Sequence, residues 1–315
     1  MSDNTANTDL SVNIAGVHLR NPVIAASGTF GYGCEYSSIT DVSVLGGICT
    51  KGLTLTPRTG NTGVRIWETP SGLINSIGLE NPGIPHFIEN DLPYLRQLGP
   101  AIIANLSGAE AEEYVDGAAL LNESSVDMIE LNISCPNVKV GGMAFGLDPG
   151  TAAALVAAVK RVCTKKPLMV KLSPNAPSLS AVSLSCIRAG ADALSLVNSF
   201  KAMAIDTVNR KPVFDNISAG LSGPAIKPIA LSMVWELFKT LKDSKVRIPI
   251  IGIGGISCTN DALEFLMAGA CAIQVGSATF VNPNTMTEII NGIRNYIVEN
   301  KMTNISQLSI RIEKD

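Results

Sequence analysis

A chain of 315 residues with 46% hydrophobic and only 16% charged side chains carries enough apolar material for a large α/β domain whose sheet is buried on both faces. Its 24 basic and 27 acidic residues leave a net charge of −3, which speaks against nucleic acid or an anionic membrane surface as partner. The polar opening MSDNTANTDL lacks the features of a signal peptide, and no apolar run approaches the ~18 residues of a spanning helix, so a soluble, cytoplasmic protein is expected. Strands are predicted near 22–26 (PVIAA), 44–50 (VLGGICT), 101–105 (AIIAN), 127–133 (DMIELNI), 167–172 (PLMVKL), 192–197 (DALSLV), 248–253 (IPIIGI) and 271–275 (CAIQV). Helices are predicted between and after them at 109–123, 150–164, 177–190, 225–243, 259–269 and 284–300, with Pro149, Pro177, Pro224 and Pro283 suited to first turns. Eight strands with intervening helices predict one (β/α)8 barrel domain over residues 1–315, rather than an open doubly wound sheet.

Two segments exceed a minimal barrel. Residues 51–100 and 198–223 are rich in Gly, Asn, Thr, Ser and Pro and lack helical period. Long segments of this kind in a compact domain are usually lids or binding loops. Both follow strands, which assigns them to the carboxyl face, where active sites of this fold lie.

The predicted strands end in Ser27-Gly28, Lys51-Gly52, Asn105, Asn132 with Cys135, Lys171, Asn198-Ser199, Gly254-Gly255 and Gly276-Ser277. A barrel gathers all of these at one mouth. Amides, two lysines and small residues, with no carboxylate at the strand ends themselves, suit an anionic, planar ligand rich in heteroatoms. GIGGI (252–256) and VGSA (275–278) follow the seventh and eighth strands, where barrels commonly bind phosphate on bare backbone, and Gly223 in SGPAIKP extends the same cradle. Lys51 and Lys171 have two readings: a side chain reaching for water, or a cation that pairs with a substrate anion and stabilises charge on a cofactor.

Seven cysteines, Cys34, Cys49, Cys135, Cys163, Cys186, Cys258 and Cys271, form no C-x-x-C pair, so neither a disulfide framework nor a metal site is expected, and most are read as small core or surface residues. The isolated His18 and His86 are read as structural. Cys135 differs by context: in ELNISCPNV an apolar strand ends by presenting Asn132, Ser134, Cys135 and Asn137 beside Pro136. A thiol's reference pKa of ~8.5 leaves a modest thiolate fraction near neutrality, which a nearby cation enlarges.

Ten stretches, in order along nearly the whole chain, carry a family resemblance: NPVIAASGTFGYG (21–33), TKGLT (50–54), RTGNTGVRIWETPSGLINSIGLENPG (58–83), NLSG (105–108), ELNISCPNVKVGG (130–142), VKLSPN (170–175), VNSF (197–200), AGLSGPAIKP (219–228), IPIIGIGGI (248–256) and QVGSA (274–278). The chain resembles class 1 dihydroorotate dehydrogenases, and within them the 1B catalytic subunit. The resemblance implies an FMN-carrying barrel that oxidises (S)-dihydroorotate to orotate in de novo pyrimidine biosynthesis. It implies Cys135 as the base that removes the C5 proton while hydride passes from C6 to the flavin, with Lys51 and Lys171 as the assisting cations. Lys51, Asn75, Ser76, Ile77, Gly78, Leu79, Asn132, Asn198 and Ser199 would hold orotate. Ser27, Lys51, Gly52, Asn105, Asn132, Lys171, Val197, Gly223, Gly254, Gly255, Gly276 and Ser277 would line the flavin.

The 1B form passes electrons to a partner subunit carrying FAD and a [2Fe–2S] cluster and thence to NAD⁺, with the catalytic chains paired as a dimer inside a heterotetramer. This sequence has neither a cysteine cluster nor an opening G-x-G-x-x-G, so NAD⁺-linked turnover would require that partner. Alternatives are a class 1A-like, fumarate-linked enzyme, a purine-nucleotide dehydrogenase barrel with a nucleophilic cysteine, a non-redox phosphate-binding lyase or isomerase, and a catalytically inactive binding module.

Overall fold

The computed structural model describes residues 8–134 and 145–308. Eight parallel strands, β1 (Val23–Ala25), β2 (Gly47–Cys49), β3 (Ala101–Leu106), β4 (Met128–Asn132), β5 (Leu168–Lys171), β6 (Ala193–Leu196), β7 (Ile250–Ile253) and β8 (Ala272–Val275), pair in chain order. β8 returns to β1 with Ile273 opposite Val23, which closes the barrel. The strands are short and nearly uninterrupted in apolar residues because both faces are covered, inside by the barrel core and outside by helices.

Helices α1 (Cys34–Ser37), α2 (Leu92–Leu98), α3 (Ala111–Glu123), α4 (Pro149–Val162), α5 (Leu179–Arg188), α6 (Lys227–Asp243), α7 (Thr259–Met267) and α8 (Thr285–Glu299) follow the strands of the same number. The six helices expected from sequence lie where predicted; α1 and α2 were not anticipated. Pro149 takes the first-turn position of α4, where the Asp148 carboxylate accepts from the Thr151 amide at 2.7 Å. Pro177 and Pro283 instead precede the caps Ser178 and Asn284, and Pro224 opens a 3₁₀ turn ahead of α6, whose own first-turn proline is Pro228.

The interior is layered. Ile24, Cys49, Ile103, Met128, Met169, Ala193, Ile251 and Ala272 form an apolar floor, sealed at the amino end by Ile14 and Leu19 of the antiparallel hairpin Val12–Ile14/Val17–Leu19. Side chains repeat on one face every second residue. Two positions onward from the floor the same inward parity carries Asn105, Glu130, Lys171, Ser195 and Gln274, all buried. The barrel therefore changes from apolar to polar within one layer.

The two long insertions meet. Ile66–Thr69 and Gly72–Asn75 form a hairpin, Gly72–Asn75 pairs with Ser218–Ser222, and Ser218–Ser222 pairs with Phe200–Met203, giving a four-stranded antiparallel sheet. Ile74, Val213, Phe214 and Ala219 form its own small core.

Candidate active site

A cleft of about 1180 Å³, part of it open to solvent, lies at the carboxyl ends of the strands. Its wall contains Ser27, Lys51, Gly52, Asn75, Ile77, Gly78, Leu79, Asn105, Asn132, Lys171, Val197, Asn198, Ser199, Gly223, Gly254, Gly255, Gly276 and Ser277. The strand ends and both insertions thus converge as the barrel reading requires. Ser76, grouped with them from sequence, is turned away: its hydroxyl accepts from Asn61 Nδ2 at 3.0 Å and its amide donates to the Arg65 carbonyl at 2.8 Å. Cys135 lies outside the described residues; Ser134, its neighbour, is fully buried at the rim of β4. Ile66, Leu73, Ser222 and Phe280 also line the cleft and were not singled out beforehand. Three of them are apolar or small residues of the inserted segments, and only the cross-insertion sheet brings Ile66, Leu73 and Ser222 over the mouth.

The polar layer beneath the cleft is a connected set of hydrogen bonds. Glu130 Oε1 accepts from Asn105 Nδ2 at 3.2 Å, and Oε2 accepts from Gln274 Nε2 at 2.8 Å and from the Cys49 thiol at 3.3 Å. Asn105 Oδ1 accepts from Asn132 Nδ2 at 3.2 Å. Asn132 Oδ1 accepts from the Ser134 amide at 3.2 Å and hydroxyl at 2.9 Å, and Ser134 Oγ accepts from Asn198 Nδ2 at 2.9 Å. Burial pushes the Cys49 thiol well above its ordinary range, and the neighbouring Glu130 adds to this while Lys171 opposes it, so Cys49 is an inert thiol. Glu130 escaped the sequence reading because it is not at a strand end. Its signal was a charge in the middle of MIELN, at the parity of Asn132.

The glycine loops are tightly apposed. Gly254 and Gly255 have φ of +131° and +71°, and a Cβ at Gly255 would lie 2.8 Å from the Gly223 carbonyl oxygen and 2.8 Å from Lys227 Cβ. Only glycine tolerates both the backbone and the crowding. The loop is pinned from behind: Lys227 Nζ reaches Asp261 Oδ1 at 2.7 Å and Glu264 Oε2 at 3.1 Å, and the Ser257 amide and hydroxyl donate to Asp261 Oδ2 at 2.9 and 2.8 Å. The hydrogen bond to Asp261 raises the Lys227 pKa. Burial alone would raise the Asp261 carboxyl, but the bonds from Lys227 and Ser257 outweigh it and hold the group below the usual carboxylate range.

The remaining described cysteines stand apart from the cleft wall. Burial lifts Cys163 and the partly buried Cys271 to about 11 and the core thiol Cys186 to about 12. Among the described residues no helix is long and apolar enough to cross a membrane.

Comparison with known proteins agrees with this architecture. The sequence model of the family Dihydroorotate dehydrogenase matches residues 9–297. The chain is 55% identical over 300 residues to a protein of Petrotoga mobilis named dihydroorotate dehydrogenase B (NAD(+)), catalytic subunit, covering 95% of this chain and 98% of that one. Proteins of the same name from Pelobacter propionicus and Caldicellulosiruptor saccharolyticus are 50% and 51% identical, over 95% of this chain and 97% and 98% of theirs. With its barrel, its convergent amide- and lysine-lined cleft and this similarity along nearly its whole length, the chain belongs to the dihydroorotate dehydrogenase family.

Proposed function

We propose that the chain oxidises (S)-dihydroorotate to orotate in de novo pyrimidine biosynthesis, in the cytoplasm, with FMN held in the cleft and electrons delivered to NAD⁺ through a partner subunit. The observation that carries this reading is the convergence of Lys51, Asn75, Asn132 and Asn198 on one cleft beneath the cross-insertion sheet. An ammonium matches the substrate carboxylate, and the amides match the alternating N–H and C=O groups of a pyrimidine ring.

The residues present fit FMN. Bare backbone at Gly223, Gly254, Gly255, Gly276 and Ser277 suits its phosphate, and Ser27, Gly52, Asn105, Lys171 and Val197 suit its ring system. When bound, FMN supplies the acceptor for the hydride that leaves C6 of the substrate. Cys135, as thiolate, takes the proton from C5. Lys51, Asn75 and the 77–79 segment hold the carboxylate end, Asn132, Asn198 and Ser199 orient the ring, and the Lys171 ammonium favours negative charge gathering beside it. The inserted sheet limits water at the mouth.

The relatives are named as catalytic subunits, which supports a second subunit. That partner would carry FAD and [2Fe–2S], since the sequence offers no cysteine spacing for a cluster and no dinucleotide fingerprint. A dimer of catalytic chains inside a heterotetramer completes the proposal. The test is an anaerobic visible spectrum of the FMN-loaded chain before and after dihydroorotate. Bleaching of the flavin bands supports the half-reaction; a flavin that stays oxidised in excess substrate refutes it. NAD⁺ added to the isolated, bleached chain should not restore the colour quickly.

A further inference from the structure

Glu130 is absent from the cleft wall but bonds Asn105, which lines it. Among the described residues it is the only acidic side chain with no solvent exposure at all. A carboxylate offers acceptors only, so it must be met by donors on every side. Gln274 and Cys49 satisfy Oε2, the Lys171 ammonium lies 3.9 Å from Oε1, and Asn105 satisfies that same oxygen with its NH₂ group.

That last contact fixes an orientation. With its NH₂ turned inward, Asn105 has only its carbonyl oxygen to offer outward, and this accepts from Asn132 Nδ2. Asn132 aims its own carbonyl at the amide and hydroxyl of Ser134, and because that backbone amide can only donate, Asn132 is held in this orientation. The Ser134 proton is thereby committed, and the hydroxyl receives the NH₂ of Asn198 through a lone pair. Asn198 is fixed by backbone, its Oδ1 accepting from the Ser199 amide at 2.9 Å and its Nδ2 donating to the Ser134 carbonyl at 3.2 Å. A reversed Asn105 would therefore turn its NH₂ on the NH₂ of an Asn132 that cannot follow.

We propose that Glu130 is a positioning residue that sets the donor–acceptor polarity of Asn105 and so keeps it matched to Asn132. This rests on the functional reading above, and deepens it: the match holds the Asn132 amide in place with its second N–H left for a ligand carbonyl.

The experiment is orotate binding by calorimetry to FMN-loaded protein, with dihydroorotate KM and kcat measured alongside. Glu130→Gln keeps the shape but lets an NH₂ group face Asn105, and should raise the orotate dissociation constant by about tenfold or more, with a matching rise in KM. The double variant Glu130→Gln/Gln274→Glu should return it to within about threefold of wild type, because the carboxylate at position 274 draws the new NH₂ to itself and leaves a carbonyl facing Asn105. Glu130→Gln with wild-type orotate affinity, or a double variant no better than the single one, would overturn the inference while leaving the functional reading intact. Should Glu130→Gln alone not fold, the double variant decides: near-normal orotate affinity supports the positioning role and weak binding refutes it. Wild-type protein that bound no orotate would overturn the functional reading, and this inference with it.

Discussion

Lys171 Nζ lies 3.9 Å from Glu130 Oε1 inside the barrel, the two side chains being 5% and 0% exposed. The pair is asymmetric. Lys171 also borders the cleft, whereas Glu130 is enclosed by Cys49, Asn105 and Gln274. Removing the cation therefore strands a charge that has no route to water.

Lys171→Met should accordingly destabilise the fold by about 3 kcal/mol, the scale of a broken buried pair. Glu130→Gln in the Lys171→Met background should recover most of that, since no uncompensated charge remains. Urea midpoints of the four proteins, treated as a double-mutant cycle, measure the coupling. Equal losses in the single and double variants would rule it out.

Cys135→Ala is expected to retain FMN and orotate while slowing flavin bleaching by dihydroorotate about 10²- to 10⁴-fold, the usual contribution of a general base. Anaerobic stopped-flow spectroscopy reads this directly. Bleaching at the wild-type rate would remove the thiol from the reaction.

Lys51→Ala should weaken orotate binding by about 2 kcal/mol, some thirtyfold, as loss of a charged hydrogen bond does. Titration of the bound flavin's absorbance with orotate provides the constant, and unchanged affinity would reassign the lysine.

The two glycine loops should respond differently to a methyl group. At Gly255 the φ of +71° and the 2.8 Å approach to the Gly223 carbonyl mean that Gly255→Ala strains the backbone, lowering the melting temperature as well as FMN content. At Gly276 φ is not positive and an added Cβ would find nothing nearer than 3.6 Å, so Gly276→Ala should melt like wild type yet hold FMN less tightly. Wild-type FMN retention in Gly276→Ala would argue against that loop as part of the cradle.

Stability should fall in acid partly through Asp261. Its carboxyl is held below the ordinary 3.8, so its contribution is complete above that value and is lost as pH falls through the lowered one. Lys227, raised above 10.5, acts with the opposite sign: its contribution is complete below that value and disappears as pH rises through the raised one. Asp261→Asn should flatten the acid limb of melting temperature against pH below 3.8, and should also speed FMN loss by freeing Ser257 behind the glycine loop. An acid limb as steep as that of wild type would assign the sensitivity elsewhere.

The eight strands, the later six helices and the mouth at the strand ends were legible in the sequence because each rests on short-range pattern. Apolar runs of four or five residues mark doubly buried strands, amphipathic stretches mark helices, and parallel βα order puts every strand's carboxyl end on the same side. Lys51, Asn105, Asn132, Lys171 and the glycine loops could be assigned to one cleft on that ground alone. What the pattern could not contain is pairing at a distance. Asn75 meets Gly220, 145 residues away, through the carbonyl that its Nδ2 donates to at 3.2 Å, and that register both lays the 72–79 segment along the cleft and turns Ser76 out of it. The hairpin that seals the floor is of the same kind, too short to announce itself and needed only because an open barrel end would expose Ile24 and Ile103. Glu130 shows the limit most sharply: its place in MIELN gives its parity, but whether an inward charge is met by donors depends on side chains from three other strands, and only the closed barrel brings Cys49, Asn105 and Gln274 within hydrogen-bonding reach of it.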